Sequence, residues 1–188
     1  MKIKLKNVKC ILFLLGLFIS SLGWSQNCKP DKYYKDKFAG VKIPLYGSKV
    51  SYSKSILFGN SMYSYLYLYR QDGKTKLGID LIVVENQSLN NSKHDFEKGG
   101  EILLRTEKGI INLKIDEYST SLTNSSSKTM RTYSIINYPS LETIKKLSQG
   151  GLKAFKLTTK EGNIVQEQVK SKVSEKLKNQ FNCFLKLM

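Results

Sequence analysis

The last third of the chain carries the clearest alternation of hydrophobic and polar positions. Residues 152–157 alternate apolar and basic side chains, which predicts a strand with one buried face and one lysine-bearing face. Residues 160–163 favour a turn, and residues 164–169 can return as the partner strand of a hairpin. From Val173 to Leu185 the apolar residues instead recur every four positions, which predicts an amphipathic helix lying on a sheet.

The middle of the chain predicts strands joined in hairpins. Residues 61–70 alternate most plainly, with aliphatic side chains on one side and tyrosines on the other. Asp72 and Gly73 then predict a tight turn into a returning strand over residues 77–83. Further strands are predicted over residues 41–46, 49–58, 101–106, 110–118 and 130–138.

The remaining segments predict loops, one edge strand and one short helix. Pro44 cannot donate to a ladder of hydrogen bonds, so the strand over residues 41–46 is expected at a sheet edge. Ser140 begins a short helix in which Leu141, Ile144 and Leu147 share one face. Polar surface segments and linkers are expected at residues 29–37, 86–100 and 119–129.

Together these elements predict an α+β fold. It comprises an antiparallel β-meander of roughly seven to nine strands, with a short helix and a C-terminal amphipathic helix packed on the sheet. The sequence shows no βαβ alternation and no internal repeat. A parallel sheet and a repeat architecture are therefore disfavoured.

The first 25 residues have the features of a secretory signal peptide. Four lysines precede an apolar run, and small residues then flank Trp24. The run has roughly a dozen residues and a membrane-spanning helix needs about 20, so a retained anchor is the weaker alternative. We expect cleavage after Ser25, which gives a signal peptide, residues 1–25, and a single α+β domain, residues 26–188. The expected localisation is the periplasm, the cell surface or the surrounding medium.

The chain is strongly basic, with a formal net charge of +16. Removing residues 1–25 takes away four of the 31 basic residues and none of the 15 acidic ones, so the mature domain keeps a net charge of +12. This charge favours an anionic glycan, a lipid surface or an envelope protein as partner, although a solvated lysine-rich surface is the simpler explanation. Nucleic acid is disfavoured, because only three of the basic residues are arginine, which phosphate recognition prefers.

Two cysteines remain in the mature domain, Cys28 near its start and Cys183 near its end. In an oxidising compartment they are expected to form one disulfide. Helical phase places Cys183 at the margin of the apolar stripe, where its sulfur can meet a surface segment. Two cysteines and the single, distant His94 lack the ligand spacing that zinc requires, so neither a metal site nor a cofactor is expected.

Three segments carry a resemblance to a group of known proteins. They are Asp36-Lys37-Phe38-Ala39-Gly40, then Gly100-Glu101-Ile102-Leu103-Leu104 before a glycine-turn hairpin, and Tyr138-Pro139-Ser140 before the closing elements. In this order they resemble small uncharacterised exported proteins of Gram-negative bacteria. The resemblance implies export and the fold described above, and it implies no activity.

The candidate ligand-binding residues are Tyr63, Tyr65, Tyr67 and Tyr69. On a strand they line one face at intervals of about 7 Å, and tyrosine suits partly wet recognition surfaces because it combines a flat apolar ring with a hydroxyl. We expect this row to lie opposite the face that turns toward the terminal helix, which carries Met62, Leu66 and Leu68. Cross-strand support of the sheet is the alternative explanation for the row.

No catalytic residue is predicted. His94 is the only histidine that could serve as a base, and it lies in a polar loop with no nucleophile motif. Asp116 and Glu117 adjoin, so on a strand they point to opposite faces and cannot act on one substrate atom. The sequence therefore favours a non-catalytic exported binding or structural protein of unknown ligand. The alternative is a small secreted enzyme whose site is assembled from separate strands.

Overall fold

The computed structural model describes residues 28–35, 40–54, 61–86, 95–124, 128–162 and 164–188. In chain order these residues form β1 (Lys32–Lys35), β2 (Lys42–Lys54), β3 (Ser61–Gln71), β4 (Lys74–Asn86), β5 (Glu101–Thr106), β6 (Gly109–Lys114), β7 (Glu117–Asn124), β8 (Lys128–Asn137), α1 (Leu141–Gly150), β9 (Ala154–Thr158), β10 (Ile164–Gln168) and α2 (Ser171–Lys186). The predicted α+β class, with one short helix and one C-terminal helix, is confirmed. The predicted signal peptide, residues 1–25, and His94 lie outside the described residues.

The described strands form two antiparallel sheets rather than one meander. The large sheet has the order β1-β2-β3-β4-β8-β7, and the small sheet has the order β10-β9-β5-β6. The predicted hairpin between β3 and β4 turns at Asp72 and Gly73, whose φ angles are 51° and 73°. Positive φ at both central positions is what a type I′ turn requires, and it suits the twist of the strands on either side.

One cluster of buried apolar side chains joins both sheets and both helices. Leu66 and Leu68 of β3 belong to it, as predicted, and we call the face of the large sheet that carries them the inner face. Helix α2 packs on β2 from this side, where the rings of Tyr46 and Phe184 meet edge to face with centroids 5.8 Å apart. The opposite, outer face of the large sheet faces away from this cluster and carries the predicted tyrosine row of β3.

The sequence prediction lacks one edge strand of the large sheet, β1, and most of the other, β7. Strand β1 lies within residues 29–37, which were expected to be irregular, and six of the eight residues of β7 lie in the linker expected over residues 119–129. All four residues of β1 are exposed, and so are seven of the eight residues of β7. An exposed edge strand buries few side chains, so it has little hydrophobic alternation for a sequence pattern to show.

The segment around Pro44 also differs from the prediction. The strands expected over residues 41–46 and 49–58 are joined in one strand, β2, with an irregularity between Lys49 and Ser51, and residues 55–58 of the second prediction lie outside the described residues. Strand β2 is not at the edge, because β1 and β3 lie on either side of it. Pairing with β3 begins only at Tyr46, so Pro44 lies where the ladder exists on one side alone. This explains why the strand tolerates a residue without an N–H group.

The strand predicted over residues 110–118 is divided at Ile115 and Asp116, where the chain passes from the small sheet to the large one. The carboxylate of Asp116 accepts hydrogen bonds from the backbone N–H of Tyr138, at 2.7 Å, and from the amide of Asn137, at 3.0 Å. Asp116 therefore holds the crossing point against the end of β8. Its role is structural.

The short helix α1 begins as predicted and buries less than predicted. The hydroxyl of Ser140 accepts from the backbone N–H of Thr143, which caps the N-terminus. Ile144 and Leu147 are buried in the core. Leu141 was expected to join them, but its side chain is 48% exposed. The helix ends at Gly150 and is capped by Gly151, whose φ of 59° suits a residue without a side chain.

The predicted disulfide joins Cys28 to Cys183, with 5.2 Å between their Cα atoms. Two further contacts tie the same segment to α2: Lys176 pairs with the carboxylate of Asp31, and the Gln180 amide donates to the carbonyl of Lys29 at 3.1 Å. The segment that precedes β1 is therefore fixed on the helix at three points. A disulfide is compatible with an exported protein. Among the helices of the described residues, none has the length and apolar character needed to cross a membrane.

Replacing Cys28 and Cys183 by serine is expected to lower the free energy of unfolding by as much as about 4–5 kcal/mol, because the disulfide closes a loop of 155 residues. The circular dichroism spectrum should stay unchanged, since the core that α2 packs against remains. Urea unfolding of the wild type with and without reductant measures the difference. The serine variant is the control, because reductant should not alter it. A wild type whose stability is unaffected by reductant, with no mass deficit for the lost thiol protons, would contradict the expectation.

Candidate functional site

The predicted tyrosine row lies on the outer face of β3, opposite the buried leucines. Tyr63, Tyr65 and Tyr67 are half-buried, whereas Tyr69 is only 8% exposed. The rings of Tyr67 and Tyr69 lie 5.7 Å apart between centroids. The expectation that the whole row is accessible is therefore wrong for Tyr69. Its ring belongs to the packed part of the outer face.

Two lysines lie over the rings of Tyr65 and Tyr63. The ammonium of Lys32, from β1, is 4.0 Å from the centroid of the Tyr65 ring, and that of Lys49, from β2, is 4.2 Å from the centroid of the Tyr63 ring. At these distances the positive charge is attracted to the negative face of the ring. These two rings are thus covered by cations, and the surface presents ammonium groups supported by aromatic rings.

Tyr34 extends this surface and was missed by the sequence analysis. It lies two residues after Lys32 on β1, so both side chains project from the same face of the strand. Its side chain is 54% exposed. The adjacent tyrosines of β1, which favour a strand, are the signal that could have found it. We call Lys32, Tyr34, Lys49, Tyr63 and Tyr65 the lysine–tyrosine patch.

Tyr67 lies beside the patch and owes its position to glycine. It pairs across the sheet with Gly47 on β2 and with Gly78 on β4. A Cβ atom on Gly78 would lie 2.3 Å from Cε2 of Tyr67, so the ring lies directly across the glycine backbone. Only a residue without a side chain permits this approach. The tyrosine hydroxyl can then reach Asp80, the next outward-facing residue of β4.

Asp80 accepts hydrogen bonds from two hydroxyl groups. Tyr67 donates to one carboxylate oxygen and Ser134 of β8 donates to the other, each at 2.8 Å. Burial raises the pKa of Asp80, and the two donors and the nearby charge of Lys32 partly oppose this. Burial and the adjacent Asp80 also raise the pKa of Tyr67, so its hydroxyl stays protonated and acts as a donor. The sequence analysis did not identify this network, because its members come from three strands.

Asp116 and Glu117, the adjacent acids of the sequence analysis, do not form a site. Asp116 holds the crossing between the sheets, as described above. Glu117 accepts from the hydroxyl of Tyr138 and lies 3.8 Å from the ammonium of Lys76. Within the described residues, no group of three or more histidine, cysteine, aspartate or glutamate side chains could hold a metal ion.

Comparison with known proteins found no relative of this chain. No protein-family model, no curated protein and no solved structure matches the chain. The assignment of a site therefore rests on the geometry of the outer face. That geometry consists of the lysine–tyrosine patch and the Tyr67–Asp80–Ser134 network beside it.

Changing Gly78 to alanine is expected to cost about 1–3 kcal/mol of stability, because the new methyl group collides with the ring of Tyr67 and separates its hydroxyl from Asp80. Urea unfolding measures the cost. The same change in a Tyr67→Ala background is the matched control, because no ring is then present to collide with. The cost should disappear in that background, as a coupling energy between the two positions. An equal cost in both backgrounds would contradict the proposed contact.

Replacing Asp80 by asparagine is expected to change the pH dependence of stability. Burial raises the folded-state pKa of Asp80 above its unfolded value, so the folded protein holds this proton more tightly. The wild type should therefore lose stability relative to the variant as the pH rises from about 4, near the unfolded pKa, through the raised pKa. Urea unfolding between about pH 3 and 7 measures this difference. A difference that stays constant over this range would contradict the assigned direction.

Proposed function

We propose that the chain is an exported, non-catalytic binding protein that holds an anionic glycan at the lysine–tyrosine patch. The observation that carries the proposal is the pair of ammonium groups, 4.0 and 4.2 Å from the centroids of two tyrosine rings on one face of the sheet. Each ring limits the positions that its lysine adopts, so part of the entropy cost of ordering the lysine is met before a ligand arrives. The patch therefore offers two positioned cations.

The arrangement of the patch suits a ligand with repeated acidic groups. Tyr63 and Tyr65 are two residues apart on β3, so the rings that support the two cations lie about 7 Å apart. Lys32 and Lys49 are exposed, and the nearest acid to Lys32 in the network, Asp80, is half-buried and engaged by two hydroxyls. The net charge of +12 that the domain keeps without residues 1–25 favours the approach of a polyanion.

Tyr34 favours a sugar among the anionic ligands. Its exposed ring lies on the same face as Lys32, and it provides an apolar surface with a hydroxyl at the end. The less polar face of a sugar ring can pack on such a surface while its acidic substituent reaches a lysine. The patch thus combines the two kinds of contact that an acidic polysaccharide offers.

Export is supported by the disulfide and by the predicted signal peptide. A bond between Cys28 and Cys183 persists in oxidising compartments and is rare in the cytosol. Anionic glycans are exposed in those same compartments, at or beyond the cell envelope. The proposed export of the protein therefore agrees with an anionic glycan as its ligand.

An enzyme is the alternative, and the geometry of the network favours binding over it. Ser134 donates directly to Asp80, and no imidazole lies between them as the base of a triad would. The hydroxyl of Tyr67 is protonated and committed to the same carboxylate. The depression that Lys32, Tyr65 and Tyr67 help to line has a volume of about 10 Å³, close to the least that one water needs. Among the described residues, the outer face therefore offers an open contact surface rather than an enclosed cleft.

Replacing Lys32 and Lys49 by glutamine should weaken the binding of polygalacturonate about three- to thirtyfold, because each exposed charge contact contributes about 0.3–1 kcal/mol. Isothermal titration calorimetry at low salt measures the affinity, with dextran as the uncharged polysaccharide. Wild-type binding should fall as salt is added. Tyr34→Ser should weaken binding further without altering its dependence on salt.

The matched control removes the same charge elsewhere. Lys98 and Lys172 are exposed and lie away from the patch, so their double glutamine variant should bind almost as tightly as the wild type. An equal loss in both double variants would show that net charge alone attracts the polysaccharide. Unchanged affinity in the Lys32 and Lys49 variant would exclude the patch as the binding surface.

A further inference from the structure

The small sheet has its own depression, on the face that points away from the apolar cluster. It has a volume of about 160 Å³ and is lined by residues of β5, β6, β9 and β10. Inward-facing residues of the same strands, such as Ile102 and Leu157, are fully buried, whereas the outward-facing ones form the groove. We call it the small-sheet groove. It is separate from the lysine–tyrosine patch, which belongs to the other sheet.

The floor of the groove is formed by a small residue between two long ones. Ala154 pairs across the sheet with Arg105 on β5 and with Gln168 on β10. The guanidinium of Arg105 donates to the side-chain oxygen of Gln168 at 3.0 Å and so spans the alanine. This bond uses one of the five N–H groups of the arginine. Arg105 is exposed and lines the groove, so its remaining N–H groups can serve a ligand.

The charge of the groove has one sign. Arg105 and Lys156 line it, together with the amide of Gln166, and no acidic residue is among its lining residues in the described part of the chain. Lys156 pairs with Leu103 on one side and with Gln166 on the other, so its position is set by the ladder next to that of Arg105. Two cations on adjacent rows of one groove complement an anion. An arginine favours a carboxylate, whose two oxygens match its fork of donors.

The opposite wall of the groove is apolar and open to solvent. Ile110 pairs with Arg105 from the β6 side and is 70% exposed, the highest value among the large hydrophobic residues that the structure describes. Leu103 lies on the neighbouring row and is half-buried. The exposed isoleucine beside the arginine gives the groove an apolar surface as well as a positive charge. A ligand that covers it must be partly apolar.

We propose that the small-sheet groove binds a small organic carboxylate with an apolar body of about six carbon atoms. The carboxylate lies against Arg105 and Lys156, and the apolar body covers Ile110 and Leu103. The size follows from the volume, because a cavity of about 150 Å³ holds a molecule as large as benzene. Hexanoate and benzoate have this size and charge. The assignment does not depend on the proposed glycan site.

Titration of the isotope-labelled protein with hexanoate, followed by NMR, tests the proposal. Binding should saturate with a dissociation constant of about 1 mM or tighter, and the signals that shift should be those of Arg105, Ile110 and Ala154. Benzoate should shift the same signals. Arg105→Gln should weaken binding about tenfold, because a charge-assisted contact is lost. Ile110→Asn should weaken it without reducing the positive charge of the groove.

The controls distinguish the contribution of the charge, the contribution of the apolar contact and the location of the site. Lys114 lies on the same face of the small sheet but does not line the groove, so Lys114→Gln should bind hexanoate as the wild type does. Hexanol and acetate, which lack the charge or the apolar body, should bind at least about tenfold more weakly. Equal binding of either compound, an equal effect of Lys114→Gln, or no saturation would overturn the proposal. The Lys32 and Lys49 variant should bind hexanoate as the wild type does. The glycan site and the small-sheet groove are therefore tested independently.

Discussion

The alternation of side chains along β3 is the constraint on which both layers of the molecule depend. Leu66 and Leu68 enter the apolar cluster under α2, while Tyr65 and Tyr67 project from the other face of the same strand. A slip of one residue in the pairing would place tyrosines in the core and leucines on the surface, so burial of the leucines specifies the register strongly. Gly78 restrains the register further, because a side chain at this position would collide with the ring of Tyr67. The hydrophobic core thus determines where the outer tyrosines lie.

One of the two cations over the tyrosine rings comes from a strand that the core does not hold directly. Lys32 belongs to β1, an exposed edge strand of four residues that pairs only with β2. The segment before it is fixed on α2 by the Cys28–Cys183 disulfide and by the pair of Asp31 with Lys176. The disulfide, which is compatible with export, therefore also restrains the strand that places an ammonium over Tyr65.

Local signals in the sequence predicted the parts of the fold whose cause is local. The turn at Asp72, the alternation of β3 and the four-residue period of α2 each follow from neighbouring residues, and all three are present. Cysteine count and compartment predicted the disulfide. Edge strand β1 and most of edge strand β7 were missed because exposed strands need no alternation. The Asp80 network could not be predicted either, because its three members meet only through the register of β3, β4 and β8. The tyrosine row was predicted as a set, but the lysines that cover two of its rings come from other strands.

The central claim is that the lysine–tyrosine patch is the surface that meets an anionic glycan. Mapping the NMR signals of the tyrosine rings and lysine side chains during titration with an oligogalacturonate tests it most directly. The account predicts that the largest changes occur at Tyr34, Tyr63 and Tyr65 and at the side chains of Lys32 and Lys49. Changes of similar size at lysines on every face, or changes concentrated on α2, would contradict it.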